Sequence, residues 1–395
     1  MNMTTKKDIF LSRLPEWLQA RGDKKRRGEI TRAVSLVTGI HLKSVSRSFR
    51  RAQLRDTSAA RRPGRKRYYT PDVISALRQV WETGGEPCGE NLHGIIGEYV
   101  RILIRDGDWG HGAEATGKLL AMSLGTVKKR VAGFSRVSFP SRGKGATRPG
   151  AIHSLIPVRS GPWGEAPAGT VQIDTVAHCG GSLAGDFVYT VNCTDVATLW
   201  GSRRAQWNKG QEATVASMEA MDRAIPFPVT EWHPDSGSEF INWHCKGWCE
   251  RRGQTLTRSR PNHKNDNCFV EERNGHVVRR WVGHARFDIR EAVDALNSVY
   301  DVLTPYLNHF VASRRTVSKE KIGSKWKIRR EEKALTPYLR VLGREDVPKQ
   351  VKEELRLEHE ALNPLVLIRE IDRRLRRMFT VLKRHGKPKP DRELR

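Results

Sequence analysis

The period of the apolar residues changes near residue 170, and this change constrains the fold more than any other feature of the chain. Up to about residue 134 the apolar side chains recur at helical spacing, as in Ile9, Phe10, Leu14, Trp17 and Leu18. From 170 the runs shorten and become strand-like: TVQIDTVAHC, DFVYTVNCTDVAT and LWGSRRAQW follow one another as in a three-stranded meander. GQEATVASMEAMDRAI then reads as a helix, FPVTEWHPD as a strand, EFINWHCKGWCERRG as a helix, QTLTRSR as a strand and NCFVEERNGHVVRRWVG as a helix. The order βββαβαβα predicts an α/β core with a mixed five-stranded sheet over 169–285. The Gly/Pro/Arg-rich stretch 137–168 reads as a linker, and RRPGRKR within 61–69 as a shorter basic one. All-α regions are expected over 1–60 and 70–136. Beyond 285 the pattern is helical and charged, with KEKIGSKWKIRREEK as a basic break, giving a helical C-terminal region over 286–395.

Charge narrows the choice of partner. The 395 residues carry a formal net charge of +27, which points to a polyanion, most simply nucleic acid. Residues 1–67 hold 19 Lys and Arg against 5 Asp and Glu, so about half of the excess sits in the first sixth of the chain. The six cysteines, at 88, 179, 193, 245, 249 and 268, show no disulfide-like spacing, so reduced thiols are expected. With no signal-peptide pattern and no apolar stretch near ~20 residues, the expectation is a soluble, cytoplasmic, nucleoid-associated protein with no membrane partner and no small-molecule substrate.

Two segments have the grammar of a helix-turn-helix. In SLVTGIHLKSVSRSFRR, Gly39 makes the turn, Ile40 and Val45 point inward, Ser44 opens the region of the next helix, and Ser46, Arg47 and Arg50 face outward to double-stranded DNA. In GKLLAMSLGTVKKRVAGF, Met122 and Val127 point inward and Ser123 can cap the second helix. Lys128, Lys129 and Arg130 would then meet DNA. Here Ala121 replaces the turn glycine, and an ordinary helical hairpin fits nearly as well. Arg65, in the basic linker, can follow the minor groove or simply be solvated.

Three carboxylates stand out. Asp174 lies inside an apolar strand, where a charge costs several kcal/mol unless it is paired; a metal ion or backbone amides would each supply the partner. Asp235 follows a strand in the Ser/Gly turn of WHPDSGSEF, as a displayed ligand or a turn and capping residue. On the last core helix Val270, Val277, Val278 and Trp281 define the apolar stripe. Glu271 flanks that stripe and Glu272 points nearly opposite, toward solvent. Arg258, Arg260, Lys264 and Arg273, around the preceding loop, suit DNA phosphates or a solvated face. Asn274 is positioned to orient the carboxylate one turn earlier or to bond DNA. His178 and His233 lie near the first two acids and read as structural histidines or as positioners of water.

Thirty-five residues separate Asp235 from Glu271. A strand Asp, then D-x-G-x-E-F, then an acid 35 residues on within V-E-x-x-N resembles the DDE core shared by retroviral integrases and bacterial insertion-sequence transposases. DTVAHCGGSLAGDFVYT with TDVAT, KGQEA, KNDN and TPYLRVL is still more similar to the bacterial group. The resemblance is strong over 170–285 and looser outside. It implies an RNase H-like fold and two Mg²⁺ or Mn²⁺ ions held by Asp174, Asp235 and Glu271. It also implies a homo-oligomer acting on paired element ends, cutting them and joining them to target DNA as a polynucleotidyl transferase. Ser236 and Glu272 depart from the usual family residues, at positions that supply no obligatory ligand. The integrase zinc domain has no counterpart; His244, Cys245 and Cys249 lack a second cysteine pair. Two other readings remain: a DNA-binding regulator with an inactive nuclease-like domain, and another RNase H-like nuclease.

Overall fold

The computed structural model describes residues 3–53, 68–134, 156–159, 163–260, 264–322 and 325–385. The chain divides into two compact units, 1–68 and 69–395.

The first unit is three helices, α1 (Met3–Gln19), α2 (Lys24–Thr38) and α3 (Leu42–Gln53). Asp23 starts α2 by accepting the Arg26 amide at 2.9 Å, and Gly39 ends it in the left-handed region at φ 68°, a conformation that glycine adopts without a Cβ penalty. Trp17, Ile30, Val34, Val45 and Phe49 form its core, with Phe10, Leu14 and Ile40 packed against them. Leu18, read as part of the apolar face, is exposed, because the α1 stripe that meets α2 and α3 runs through Trp17.

The second unit begins with α4 (Pro71–Thr83), α5 (Gly89–His93), α6 (Ile96–Arg105), α7 (Ala113–Leu120) and α8 (Leu124–Val131). Met122 and Val127 are buried in the α7–α8 pair. Ser123 stands at the cap position of α8, but its hydroxyl meets that of Thr126 at 3.0 Å and makes no side-chain bond to a backbone amide. These helices share one apolar core with elements far along the chain. Tyr99 donates to the Phe310 carbonyl at 3.1 Å, and Tyr306 to the Thr83 carbonyl at 2.7 Å.

A mixed five-stranded sheet follows. Its strands are β1 (Thr170–Ala177), β2 (Val188–Asp195), β3 (Gly201–Trp207), β4 (Glu231–Pro234) and β5 (Thr255–Leu256). The spatial order is β3-β2-β1-β4-β5, antiparallel among the first three strands and parallel from β1 through β4 to β5. Helices α9 (Gln211–Ala224) and α10 (Trp243–Arg251) fill the connections β3–β4 and β4–β5. Val171, Ile173, Val191 and Cys193 pack with Met218, Met221, Trp232 and Trp248 in one core. Strand alternation turns Gln172 and Asp174 to the other side. There a 3₁₀ turn, Lys264–Asn267, leads into α11 (Cys268–Arg273), a π-helical turn over Asn274–Arg279 and α12 (Arg280–Val282). The expected single helix therefore runs unbroken from Cys268 to Val282, with a π-helical turn over Asn274–Arg279 inside it.

The C-terminal region is helical: α13 (Glu291–Phe310), and, after a hairpin, α14 (Pro337–Leu342), α15 (Lys349–Ala361) and α16 (Pro364–His385). The segment read as a basic break is that hairpin, β6 (Thr316–Ile322) paired antiparallel with β7 (Lys325–Arg330). Its alternation was hidden because the described side chains of both strands are mostly exposed, so neither face reads as apolar. The amphipathic second half of this region, which by sequence alone could dimerise, pack on the core or bind DNA, packs: in α16 Ile371 and Met378 are buried against the core that contains α13, while Phe379 faces outward. All six cysteines are free thiols. No helix among the described residues is long and apolar enough to cross a membrane.

Candidate active site

Parallel pairing sets the site. Ile173 of β1 lies beside Pro234 of β4, so Asp174 and Asp235, the next residue in each chain segment, come up at the same edge of the sheet. Across the antiparallel pair, Asp174 faces Asn192 of β2. The Asp174 carboxylate is held on both oxygens. Oδ1 accepts the Thr175 amide at 2.7 Å, and Oδ2 accepts Asn274 Nδ2 at 2.6 Å. Burial, and then the negative charges of Asp235, Glu239 and Glu271, push its carboxyl well above the usual carboxylate range.

Helix α11 is tied to the same strand. Gln172, two residues before Asp174 on the same face, accepts the Phe269 and Val270 amides at 2.9 and 3.3 Å and donates to the Asp266 carbonyl at 2.9 Å. Asn267 donates to the Ile173 carbonyl at 3.3 Å. Those amides belong to the first turn of α11 and would otherwise lack partners, so β1 itself positions the helix that carries Glu271. Glu271 and Glu272 are both exposed, but of the two only Glu271 is among the charges acting on Asp174. Asn274, expected at the Glu271 carboxylate or on DNA, bonds Asp174. From it a polar chain crosses the sheet. Asn192 donates to Asn274 at 2.9 Å, and Arg203 of β3 donates to Asn192 at 3.4 Å. Burial pushes the Arg203 guanidinium down to about 10.

Residue Glu239, which the sequence reading left aside, joins the group. It is 4% exposed, and its Oε1 accepts Lys209 Nζ at 2.6 Å and Thr175 Oγ1 at 2.9 Å. Asp235 Oδ1 accepts the Gly237 amide at 2.8 Å, closing the turn in which Gly237 lies between the two acids. A Cβ on Gly237 would stand 2.8 Å from both Asp235 Oδ1 and Glu239 Oε2, so these two oxygens converge on one point.

Another buried acid shows what a purely structural carboxylate looks like here. Asp195 accepts the Gly169 amide at 2.8 Å and the Thr198 amide and hydroxyl at 2.7 and 2.6 Å, with no second acid beside it. Its burial still raises it to about 6. Asp174 has fewer donors and more negative neighbours. Among the described residues no three His, Cys, Asp or Glu side chains are grouped so that they could hold a metal ion. The acids that act on Asp174 are carboxylates only, the oxygen type that a hard divalent cation takes, and one of their oxygens, Glu239 Oε2, is buried without a hydrogen-bond partner. The soft candidates differ. Burial pushes the Cys245 and Cys249 thiols up to about 12, far from thiolate ligands.

The basic residues expected on DNA are distributed unevenly. Arg47 and Arg50 are exposed on α3, with Ser46 half-buried. Lys128, Lys129 and Arg130 are exposed on α8, and Lys128 pairs with Glu90 at 2.6 Å. Arg258 donates to the Ile156 carbonyl, Arg260 grips Asp266 with two nitrogens at 2.9 and 2.7 Å, and Arg273 turns in to Ser313 at 3.3 Å. Arg65 and the side chain of Lys264 lie outside the described residues. His233 is bonded through both ring nitrogens, to Thr257 and Ser259. His178 is stacked on Phe287 and bonded to Thr190 at 2.7 Å.

No known family model matches the chain. It is 33% identical over 306 residues to the "Uncharacterized protein y4rM" of Sinorhizobium fredii (strain NBRC 101917 / NGR234), covering 77% of this chain and 86% of the relative. The chain belongs to the same family as that protein.

Proposed function

We propose that the protein is a DNA transposase of the DDE class, built on an RNase H-like core, that binds the terminal inverted repeats of its mobile element and carries out end cleavage and strand transfer. The observation that carries this reading is electrostatic: the carboxyl of Asp174, on the central strand, is raised by burial and by the charges of acids from the neighbouring strand end and the last core helix. Carboxylates crowded in this way are stable together when a cation shares them. Asp174, Asp235 and Glu271 would hold two Mg²⁺ or Mn²⁺ ions. When bound, such ions supply the charge that activates an oxygen nucleophile and stabilises the leaving oxygen in phosphodiester transfer.

The chain's own residues supply alignment. Asn274 fixes Asp174 Oδ2, Gln172 docks the start of α11, and the Gly237 amide orients Asp235. Arg47 and Arg50 on the exposed face of α3 are suited to the element ends, in keeping with the charge of residues 1–67. The strand order 3-2-1-4-5 and the succession βββαβαβα support the RNase H-like assignment.

The test is cleavage and joining by the full-length protein with Mg²⁺ and DNA carrying the repeats that flank its coding sequence. Alanine at 174, 235 or 271 should each abolish both reactions and leave end binding unchanged. Specific end binding by a wild-type protein that never cuts would leave only a DNA-binding regulator. An active Glu271→Ala beside an inactive Glu272→Ala would reverse the assignment of the two glutamates.

A further inference from the structure

We infer that the β6–β7 hairpin is an arm that grips duplex DNA by its phosphates, whatever the sequence, beside the candidate active site; the inference rests on the reading of the chain as a DNA transposase. Residues 316–330 hold six Lys and Arg against one Glu. The cross-strand register sets Lys327 opposite Glu320 and Arg329 opposite Ser318, so Lys327 and Arg329 share one face of the ribbon. Lys327, Arg329 and Arg330 are all exposed. So are the large apolar side chains Val317, Ile322 and Ile328, at 59, 58 and 49%. Among the described residues no third strand joins the pair. A two-stranded ribbon whose described side chains mostly face water is marginally stable by itself. A polyanion laid along it supplies what the rest of the chain does not, countercharge for the basic side chains and a surface for the apolar ones. Duplex DNA fits in shape as well as in charge. Its major groove admits a two-stranded ribbon, and apolar side chains there meet thymine methyl groups. The seven residues of β6 reach roughly 23 Å, against about 34 Å for one turn of duplex.

The root of the ribbon fixes where that DNA lies. Ser313 and Arg315 stand just before β6. Ser313 Oγ accepts Arg273 of α11 at 3.3 Å, and the Arg315 guanidinium is 5.7 Å from the centre of the Phe269 ring, also on α11. Arg315 further donates to the Ala197 carbonyl at 2.8 Å. Its amide donates to Glu331 Oε2, just past β7, at 2.9 Å. Both ends of the ribbon are therefore rooted beside the helix that carries Glu271. DNA held along the strands is held next to the acids. Basic side chains on an open strand pair also discourage pairing with another chain. Edge protection alone, however, leaves DNA affinity and its salt dependence untouched.

Binding of random-sequence duplex by the full-length protein, followed by fluorescence anisotropy across a salt series, tests this. The triple variant Lys327→Gln, Arg329→Gln, Arg330→Gln should flatten the salt slope by about two to three units, close to one for each lost phosphate contact. Affinity for random duplex and for the element ends should fall by the same factor, roughly tenfold or more near physiological salt. An unchanged slope overturns the inference, and so does a loss confined to the element ends. Should the triple variant aggregate, a protein with 316–330 replaced by a short Gly/Ser turn takes its place, since it has no ribbon edges left to pair. Its slope should flatten at least as much, and a wild-type slope there leaves edge protection as the role of the ribbon. Acetylation of Lys327 in the wild-type protein, read by mass spectrometry, should drop severalfold when random duplex is added; undiminished acetylation overturns the contact. The transposase reading fails separately: a wild-type protein that passes these tests but never cuts its element ends loses that reading and keeps the arm.

Discussion

Asn274 is the residue on which the alignment of the acids turns. Its amide donates to Asp174 Oδ2 at 2.6 Å and accepts from Asn192 at 2.9 Å, so its orientation is fixed from both sides. A hydrogen bond to a charged group is worth about 1.5–3 kcal/mol, so Asn274→Ala should slow strand transfer roughly 10- to 100-fold. Asn274→Asp should be worse, because it replaces a donor with a further negative charge. Joining rates at saturating Mg²⁺ measure both; an alanine variant at wild-type rate would remove Asn274 from the alignment. The placement of the three acids was legible from local signals: Asp174 within an apolar strand, Asp235 in a turn after a strand, and Glu271 on a helix. Glu239 was not, although it lies only four residues after Asp235. Its burial depends on Lys209, thirty residues away, and on a turn geometry that DSGSEF alone does not specify. The arginines show the same limit. Arg260 finds its acid at Asp266 nearby, but the partner of Arg273 is Ser313, beyond the core. A basic residue facing DNA and one bonded within the protein look the same in a sequence.

At the scale of elements, the junction after β1 carries a built-in acid sensitivity. The His178 amide donates to the Val188 carbonyl at 3.0 Å, its carbonyl accepts the Phe287 amide at 3.0 Å, and Val188 in turn donates to Phe287 at 2.8 Å. The ring is fully buried, and burial, helped by Arg279 and His284, lowers its pKa to about 3 from an ordinary 6.5. The unfolded chain therefore takes up a proton between pH 6.5 and 3 that the folded chain does not. The contribution of His178 is fully present above pH 6.5 and is lost on acidification, by about 1.4 kcal/mol per pH unit within that window. His233, lowered to about 4, acts in the same direction, and Asp195, raised to about 6, in the opposite one. Comparison with His178→Gln isolates the first term. Urea midpoints at pH 7 and 5 should fall further apart for wild type than for the variant, and equal falls would refute this assignment. The β6–β7 hairpin behaves differently. Its base is fastened by the paired Ser313 and Leu335 backbones and by Arg340 gripping Glu331 at 2.7 and 2.6 Å, all outside the two strands. Replacing 316–330 with a short Gly/Ser turn should therefore move Tm by less than about 4 °C, as read by calorimetry.

On the scale of the whole molecule, the division of the chain follows what covers each apolar face. Periodicity showed that the helices over 70–134 have buried sides. It gave no means of knowing that Trp81, Tyr99 and Val100 share a core with Tyr300, Leu303 and Phe310, some two hundred residues later. The first unit needs none of this. Its core is the small cluster around Trp17 and Phe49, complete within residues 1–68. Charge is concentrated in that same unit, 19 basic against 5 acidic residues by position 67. Since each phosphate neutralised releases counterions, the logarithm of DNA affinity should fall with the logarithm of salt with a slope of about −0.9 per phosphate contact. Deleting residues 1–67 should leave Mn²⁺ binding and the melting of the remaining unit nearly unchanged, because neither the acids nor their supports lie in the deleted part. It should flatten the salt slope for the element ends by several units and erase the preference for those ends over random DNA of equal length. Fluorescence anisotropy across a salt series measures both. A truncated protein that kept its slope and its preference would move recognition of the ends from α3 to elements of the second unit, with the exposed Lys128, Lys129 and Arg130 of α8 the first place to look.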